Sequence, residues 1–176
     1  MNYRKLNIVL YEPEIPQNTG NVMRICVATG VLLHLIEPFG FNLDQKSLRR
    51  AGLDYINELE YRTYKSYDEF KEKNYGEFFF MTRYGSSPHS EFDYTSVDKD
   101  IYLIFGKEST GIDKKVLRNN LNRCFRLPMR KGIRSLNLSN CVAVCLYEVL
   151  RQFEYEGLSF EETIKGRDFL KKIELE

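Results

Sequence analysis

The chain has 176 residues, of which 43% are hydrophobic and 29% are charged, and its formal net charge is +1. This length fits one domain that can bury a hydrophobic core. The small net charge argues against a protein that binds nucleic acid over its whole surface. No apolar run is long enough to span a bilayer, and Met1 to Leu10 lacks the apolar centre of a signal peptide, so we expect a cytoplasmic protein.

Hydrophobic periodicity predicts strands that alternate with helices along the chain. The first half is predicted to contain a strand at Leu6–Tyr11, a helix from Asn18 to Thr29, a strand at Val31–Ile36, a helix at Leu43–Leu53, a strand at Leu59–Tyr64, a helix from Ser66 to Asn74 and a strand at Phe78–Thr82. The second half is predicted to contain a loop at Arg83–Asp100, a strand at Ile101–Phe105, a helix from Asp113 to Leu121, a strand at Cys124–Leu127, a helix at Leu138–Phe153 and a polar helix from Ser159. This alternation predicts an α/β fold, a mostly parallel sheet with helices on both faces.

Ligands of such sheets gather at the loops that follow the carboxyl ends of strands, and three of these loops are distinctive. The loop after Tyr11 leads to Arg24, which fits either a solvated surface residue or a site residue. The loop after Phe105 reads Gly-Lys-Glu-Ser-Thr-Gly, which fits either a plain turn or close backbone approach to a ligand. It is not a Walker phosphate loop, because position 101 is Ile and position 108 is Glu, and this argues against a nucleotide hydrolase.

The third loop follows Leu127 and joins a basic stretch to the start of a helix. Asn137, Ser139 and Asn140 can accept hydrogen bonds from the first helical turn, and a helix N-terminus favours an anionic or electron-rich ligand, although an ordinary cap has the same sequence. Residues 114–134 contain eight cations and no carboxylate: Lys114, Lys115, Arg118, Arg123, Arg126, Arg130, Lys131 and Arg134. A block of one sign is either solvated or matched by a polyanion.

The four cysteines, Cys26, Cys124, Cys141 and Cys145, include no CxxC pair, and the two histidines, His34 and His89, lie far from them in sequence. We therefore expect no zinc site or other metal site. The apolar neighbours of Cys141 and Cys145 predict buried thiols. His34 is predicted to be a core or strand-end residue, and His89, in a polar loop, to be solvated or hydrogen-bonded and not catalytic.

Three segments, in order and spacing, resemble the motifs of a known enzyme family. They are Pro16–Arg24, Leu103–Ile112 and Leu127–Asn140, and they are similar to those of the SPOUT, or trefoil-knotted, RNA 2′-O-ribose methyltransferases. Within that superfamily the chain is most similar to the small tRNA methyltransferases that act on the wobble cytidine or uridine. The resemblance implies a C-terminal trefoil knot formed after Leu127, a homodimer, tRNA bound at its anticodon region, and S-adenosylmethionine as cofactor.

The resemblance also assigns residues to the site. Its catalytic set is Arg24, Glu108, Ser135 and Asn137. Its cofactor-binding set is Met81, Thr82, Gly106, Gly111, Leu127, Met129, Ser135 and Leu136. The RNA-binding set is Asn18, Arg49, Arg50, Lys114, Lys115, Arg130, Lys131 and Arg134. A guanidinium is not deprotonated in proteins, so we interpret Arg24 as a stabiliser of the developing alkoxide, while the proton leaves through a phosphate, a water or Glu108.

The resemblance ends near Gly157, which predicts a methyltransferase domain at 1–157 and a C-terminal helical extension at 158–176. The extension is expected to be an amphipathic helix packed on the body or at the dimer edge. Two alternatives to the main interpretation remain. One is a 2′-O-methyltransferase for another tRNA position or for ribosomal RNA, and the other is a non-catalytic RNA-binding dimer with the same fold.

Overall fold

The computed structural model describes residues 5–43, 58–133 and 135–173. Its strands are β1 Leu6–Tyr11, β2 Leu32–Ile36, β3 Tyr61–Tyr64, β4 Glu77–Met81, β5 Ser87–Pro88, β6 Ile101–Phe105 and β7 Cys124–Arg126. Its helices are α1 Pro16–Thr29, α2 Tyr67–Lys73, α3 Lys114–Arg118 and α4 Leu138–Gln152, with 3-10 turns at Tyr94–Ser96, Leu121–Arg123 and Leu170–Lys172. The strands form one all-parallel sheet in the order β3-β2-β1-β6-β4-β7-β5.

The central strands β1 and β6 are apolar on both faces, as a sheet covered on both sides requires. In β1, Ile8 and Leu10 point into one core cluster, together with side chains of α1 and α4. Val9 points to the opposite face, where Phe70 of α2 and Leu117 of α3 belong to a second cluster. Successive side chains of a strand alternate between faces, so this continuous apolar run needs helices on both sides. The prediction of an α/β fold with helices on both faces is confirmed.

The register of the sheet brings the functional loops to one edge. Leu10 of β1 pairs with Phe105 of β6, which pairs with Met81 of β4, and Met81 in turn pairs with Phe125 of β7. The carboxyl ends of these four strands are therefore level. The segments that follow them lie side by side at the edge where parallel sheets bind their ligands.

Most predicted elements are confirmed with ends shifted by a few residues. Two predictions differ from the structure, and a third lies mostly outside the described residues. The segment predicted as a loop at Arg83–Asp100 contains β5, in which Ser87 pairs with Phe125 of β7. A strand of two residues is too short to show periodicity, and Pro88 is tolerated because β5 is an edge strand. Most of the helix predicted at Leu43–Leu53 lies outside the described residues.

The helix predicted from Ser159 is not formed in the described part of the tail, which ends at residue 173, and this prediction is corrected. The segment consists of turns and bends with one 3-10 turn at Leu170–Lys172. Gly166 has φ +89°, a left-handed conformation that interrupts a helix. The side chains of Phe160 and Ile164 are 81% and 91% exposed, so no apolar face is buried to stabilise a helix.

The ends of the two long helices follow the predicted signals. Asn137 caps α4, because its Oδ1 accepts hydrogen bonds from the Ser139 backbone N–H at 3.0 Å and from the Ser139 hydroxyl at 2.8 Å. Gly30 ends α1 with φ +68°, and its N–H donates to the Cys26 carbonyl. The four cysteine thiols are all buried, as predicted for Cys141 and Cys145.

Candidate active site at the carboxyl edge of the sheet

A cavity of about 800 Å³ lies at the carboxyl edge of β1, β4, β6 and β7. Cavities of this size bind small molecules of the size of a nucleoside or a cofactor. Its wall combines the start of α1 with the segments that follow β4, β6 and β7 and with the start of α4. The three loops selected from the sequence therefore meet at a single site.

The structure brings most of the predicted site residues together. The eight predicted cofactor-binding residues all line the cavity: Met81, Thr82, Gly106, Gly111, Leu127, Met129, Ser135 and Leu136. Of the predicted catalytic residues, Glu108, Ser135 and Asn137 line it as well. Arg24 is exposed on α1 and is not among the lining residues. The site thus contains three of the four side chains that the family motifs assign to catalysis.

A chain of hydrogen bonds connects the three loops at the cavity. Asn18 of α1 donates from Nδ2 to Glu108 Oε1 at 2.8 Å, and its Oδ1 accepts from Asn137 Nδ2 at 2.9 Å. The second carboxylate oxygen of Glu108 accepts from the backbone N–H of Glu14 at 2.9 Å. A carboxylate oxygen accepts hydrogen bonds, so the Asn18 amide nitrogen must face Glu108. The Asn18 oxygen then faces the amide nitrogen of Asn137 and orients that residue. The segment after β6 is thereby joined to both neighbouring loops.

A second set of contacts holds the loop after β6 against the loop after β1. The Glu14 carboxylate accepts from the Ser109 backbone N–H and from the Ser109 hydroxyl, both at 2.8 Å. These hydrogen bonds, the hydroxyl's first, lower the pKa of Glu14 below its ordinary value. Lys107 Nζ lies 2.6 Å from Glu12 Oε2 in an ion pair between the same loops. The two loops thus form one rigid wall of the cavity.

The glycines of the loop after β6 are required by the loop itself. A Cβ atom on Gly106 would lie 2.3 Å from the Ile112 nitrogen and 2.4 Å from the Gly111 carbonyl carbon. Gly111 has φ +73°, and its N–H donates to the Lys107 carbonyl at 2.9 Å. Of the two reasons considered for these glycines, tight turning and close approach to a ligand, the structure supports the tight turn.

Arg126, at the end of β7, has a buried side-chain donor at the cavity wall. The residue lines the cavity, and within the part of the chain that the structure describes its buried Nε has no hydrogen-bond partner. An unsatisfied buried donor destabilises a protein unless a ligand or water accepts from it. The apolar Leu127, Met129 and Leu136 line the same cavity as the polar Glu108 and Asn137, which suits a ligand that has both apolar and polar groups, as S-adenosylmethionine has. The sequence placed Arg126 only within the cationic block.

The cations of that block have different roles in the structure. Arg123 forms an ion pair with Glu77 at 2.7 Å, and its Cζ lies 5.0 Å from the centre of the Phe79 ring, so it serves the fold. Lys114 lines the cavity, where its Nζ donates to the carbonyls of Thr110 and Ile112. Other predicted RNA-binding cations are exposed, namely Lys115, Arg130 and Lys131. Arg49, Arg50 and Arg134 lie outside the described residues.

The structure adds contacts and burial for Asn18 and His89. Asn18, predicted to bind RNA, is 6% exposed, and both ends of its side-chain amide are hydrogen-bonded, to Glu108 and to Asn137. His89, predicted to be solvated or hydrogen-bonded, is half-buried, and its ring Nδ1 is buried and has no hydrogen-bond partner among the described residues. Burial lowers the pKa of His89 below its ordinary value. Sequence reasoning missed Glu14 and Tyr84, since only tertiary structure shows that they lie at the site.

Within 5–43, 58–133 and 135–173, no group of three or more His, Cys, Asp or Glu side chains is arranged to hold a metal ion. No helix in this part of the chain is long and apolar enough to cross a membrane.

Burial raises the pKa of the Cys141 thiol, which lines the cavity, to about 11. This thiol is therefore neutral at physiological pH and acts as a small apolar side chain.

An all-parallel α/β sheet with a cavity at its carboxyl edge defines a ligand-binding domain of the class that holds nucleotide-like cofactors. Residues 5–147 match the SpoU rRNA Methylase family, and the chain belongs to this family. It is therefore a methyltransferase, and the resemblance seen in the three motifs is confirmed.

Similar proteins match most of the chain. A Bacillus subtilis strain 168 protein with the provisional name tRNA (cytidine(34)-2′-O)-methyltransferase is 50% identical over 159 residues, which cover 90% of this chain and 99% of that protein. The tRNA (cytidine(34)-2′-O)-methyltransferase of Escherichia coli strain K12 is 46% identical over 154 residues, 86% of this chain and 96% of that one. A solved structure described as giving insights into the 2-OH methylation of C/U34 on tRNA superposes with a TM-score of 0.78 at 39% identity, covering 87% of this chain and 99% of that chain.

Proposed function

We propose that the protein transfers a methyl group from S-adenosylmethionine to the ribose 2′-hydroxyl of the wobble cytidine or uridine of tRNA. The observation that carries this proposal is the similarity along nearly the whole chain, at 46% identity, to the Escherichia coli enzyme named for that reaction. The site supports it, because the residues predicted to bind the cofactor line one cavity beside Glu108 and Asn137. The SpoU family of methylases, to which the chain belongs, supports the cofactor assignment.

The protein's task in this reaction is orientation and help with the 2′-proton. S-adenosylmethionine, when bound, supplies a methyl carbon attached to a good leaving group. Both oxygens of Glu108 are occupied by protein donors, the Asn18 amide and the Glu14 N–H. We therefore assign Glu108 a positioning role for the Asn18–Asn137 pair, and the proton leaves to a water or to a substrate phosphate. Ser135 and Asn137, at the start of α4, bind and orient the substrate ribose and the cofactor.

Arg24 supplies positive charge to stabilise the developing alkoxide and to anchor the neighbouring phosphate. It is exposed and lies off the cavity of its own chain. In the family that the chain resembles, residues of one subunit complete the site of the other. We propose that Arg24 acts in the site of the partner subunit of a homodimer.

The exposed side of α4 supports that homodimer. Val144 and Tyr147 lie about one turn apart on this helix and are 45% and 47% exposed. In the proposed dimer a second copy of the chain covers them, as the knot helices pack together. The same proposal includes a trefoil knot formed by the chain after Leu127. It also includes that the enzyme is cytoplasmic and needs no metal.

The RNA is held by the dimer surface. Lys114 lies at the cavity, and Lys115, Arg130 and Lys131 are exposed cations in the same part of the sequence. With Arg49, Arg50 and Arg134 they bind phosphates of the anticodon region. Phosphate contacts position an RNA without reading its bases, so the choice of nucleotide depends on the site itself.

The test is transfer of labelled methyl from S-adenosylmethionine to bulk tRNA from a strain that lacks this protein, followed by nuclease mapping. We expect the label in a 2′-O-methylated wobble nucleotide. Label at another ribose of tRNA would contradict the wobble assignment. Cofactor binding measured by calorimetry, without transfer to any RNA, would instead support the alternative of an RNA-binding protein that does not catalyse.

A further inference from the structure

An exposed aromatic side chain, Tyr84, stands at the mouth of the cavity, just beyond the end of β4. It lines the cavity, yet it is 61% exposed. The turn that carries it is fixed by the Thr82 N–H, which donates to the Phe125 carbonyl at 2.9 Å, and by the Gly85 N–H, which donates to the Thr82 carbonyl at 3.2 Å. The backbone N–H of Tyr84 also faces the Thr82 hydroxyl at 3.3 Å.

Close packing restricts this turn further. A Cβ atom on Gly85 would lie 2.4 Å from the carbonyl carbon of Phe125, so the turn lies directly against β7. The ring of Tyr84 is thus presented from a rigid base while most of its surface stays in water. A fixed, exposed aromatic ring loses little conformational entropy when it binds a flat partner.

Two cations lie over the ring in cation–π contact. Arg83 Cζ and Lys114 Nζ are each 5.2 Å from its centre. The Lys114 ammonium is held in place by the carbonyls of Thr110 at 2.9 Å and Ile112 at 3.2 Å. An aromatic ring with adjacent cations is how proteins bind single-stranded nucleic acid, since bases stack on the ring and the cations bind the backbone.

We propose that Tyr84 stacks on a nucleobase of single-stranded RNA next to the nucleotide whose ribose enters the cavity, while Arg83 and Lys114 bind the phosphates that flank that base. The inference rests on the proposed function, because it takes RNA as the substrate. It adds a residue that positions the RNA strand by stacking and so selects an unpaired loop over a duplex. A base within a duplex is already stacked on both faces and cannot use the ring.

The test measures binding of fluorescently labelled anticodon stem-loop RNA, by anisotropy, to the full chain and to three variants. Tyr84→Ala should weaken binding by about tenfold or more, since one stacked base contributes that much, and Tyr84→Phe should bind like the unmodified protein. The matched control is Tyr75→Ala. Tyr75 is 76% exposed with Lys99 Nζ 4.9 Å from its ring centre, but it lies before β4, at the opposite edge of the sheet.

A second set of RNAs, each with one abasic site beside the target nucleotide, identifies the stacked base. One abasic RNA should bind the unmodified protein about tenfold more weakly than the intact RNA does. Tyr84→Ala should bind that abasic RNA no more weakly than it binds the intact RNA. If the abasic site lowered the RNA affinity of the unmodified protein and of Tyr84→Ala equally, the inference would be overturned. It would also be overturned if Tyr84→Ala bound RNA normally but S-adenosylmethionine poorly, because the ring would then cover the cofactor.

Failure of the proposed function has a different signature. If the unmodified protein binds none of the stem-loop RNAs, both proposals are overturned. If it binds and methylates the wobble nucleotide but Tyr84→Ala behaves identically, only the role of Tyr84 is overturned.

Discussion

His34 is fully buried in β2, and its ring is hydrogen-bonded on both sides. Its Nδ1 lies 2.8 Å from the Tyr64 hydroxyl oxygen, and its Nε2 lies 3.1 Å from Asn7 Oδ1. Because the Asn7 amide nitrogen donates to two backbone carbonyls, its oxygen faces the ring, and this assigns the imidazole proton to Nε2. Burial, with a smaller effect of the Arg62 charge, lowers the pKa of His34 to about 4.

This pKa predicts a loss of stability in acid. The unfolded chain binds a proton on His34 near its ordinary value of 6.5 and the folded chain only near 4, so stability is complete above pH 6.5 and falls as the pH decreases towards 4. The total contribution is roughly 3 kcal/mol. Urea unfolding between pH 7 and pH 4 should show a smaller decrease for His34→Gln, whereas His89→Gln, at the other histidine, should retain most of it. An unchanged pH dependence in His34→Gln would contradict this assignment.

At the scale of elements, the site depends on contacts between α1, the loop after β6 and the start of α4. Asn18 belongs to the first, Glu108 to the second and Asn137 to the third. A local residue favours the conformation of each element. Pro16 lies at the first turn of α1, Gly106 permits the tight turn of the loop, and Asn137 caps α4. The hydrogen bonds of Asn18 fix the distances between these elements.

Replacing Asn18 by alanine should therefore affect both stability and catalysis. The change removes the hydrogen-bond partner of Glu108 Oε1 and that of Asn137 Nδ2, which should lower the free energy of unfolding by about 1–3 kcal/mol. It should also lower kcat by about 10- to 100-fold, because misplaced site residues no longer orient the reacting groups. The measurements are urea unfolding and methyl transfer at saturating cofactor and tRNA. Asn122→Ala, an exposed asparagine of the 3-10 turn Leu121–Arg123, is the control, and an unaltered kcat in Asn18→Ala would contradict the positioning role.

At the scale of the whole molecule, the proposed homodimer makes the sites of two chains interdependent. Placing a charge on the exposed side of α4 with Tyr147→Asp should desolvate a carboxylate at the interface and shift the protein towards monomers. Because Arg24 is proposed to act in the partner's site, the monomer should lose methyl transfer while still binding the cofactor. Light scattering coupled to size exclusion gives the oligomeric state, with Tyr75→Asp as the control. A Tyr147→Asp monomer of normal activity would contradict action between subunits.

Local signals in the sequence were sufficient for most of the described elements and for the loops that bear the site. Apolar runs predicted the buried strands, because a strand covered on both faces needs apolar side chains on both. Asn137 and Gly30 were identified as helix ends because capping depends only on neighbouring residues. The resemblance to a known family selected eight of the residues that line the cavity. Where the signal was weak, in the tail from Ser159, the predicted helix was not formed.

The sequence by itself thus determined the class of fold, the order of the elements and which loops carry polar residues, since these follow from periodicity and turn chemistry within short stretches. Only the tertiary structure decided which side chains meet. Asn18 lies 90 residues from Glu108 and 119 from Asn137 along the chain, and their contact depends on the register of four strands. The same register places Arg126 and the exposed Tyr84 ring at the cavity, because the packing of a sheet determines which loops become neighbours.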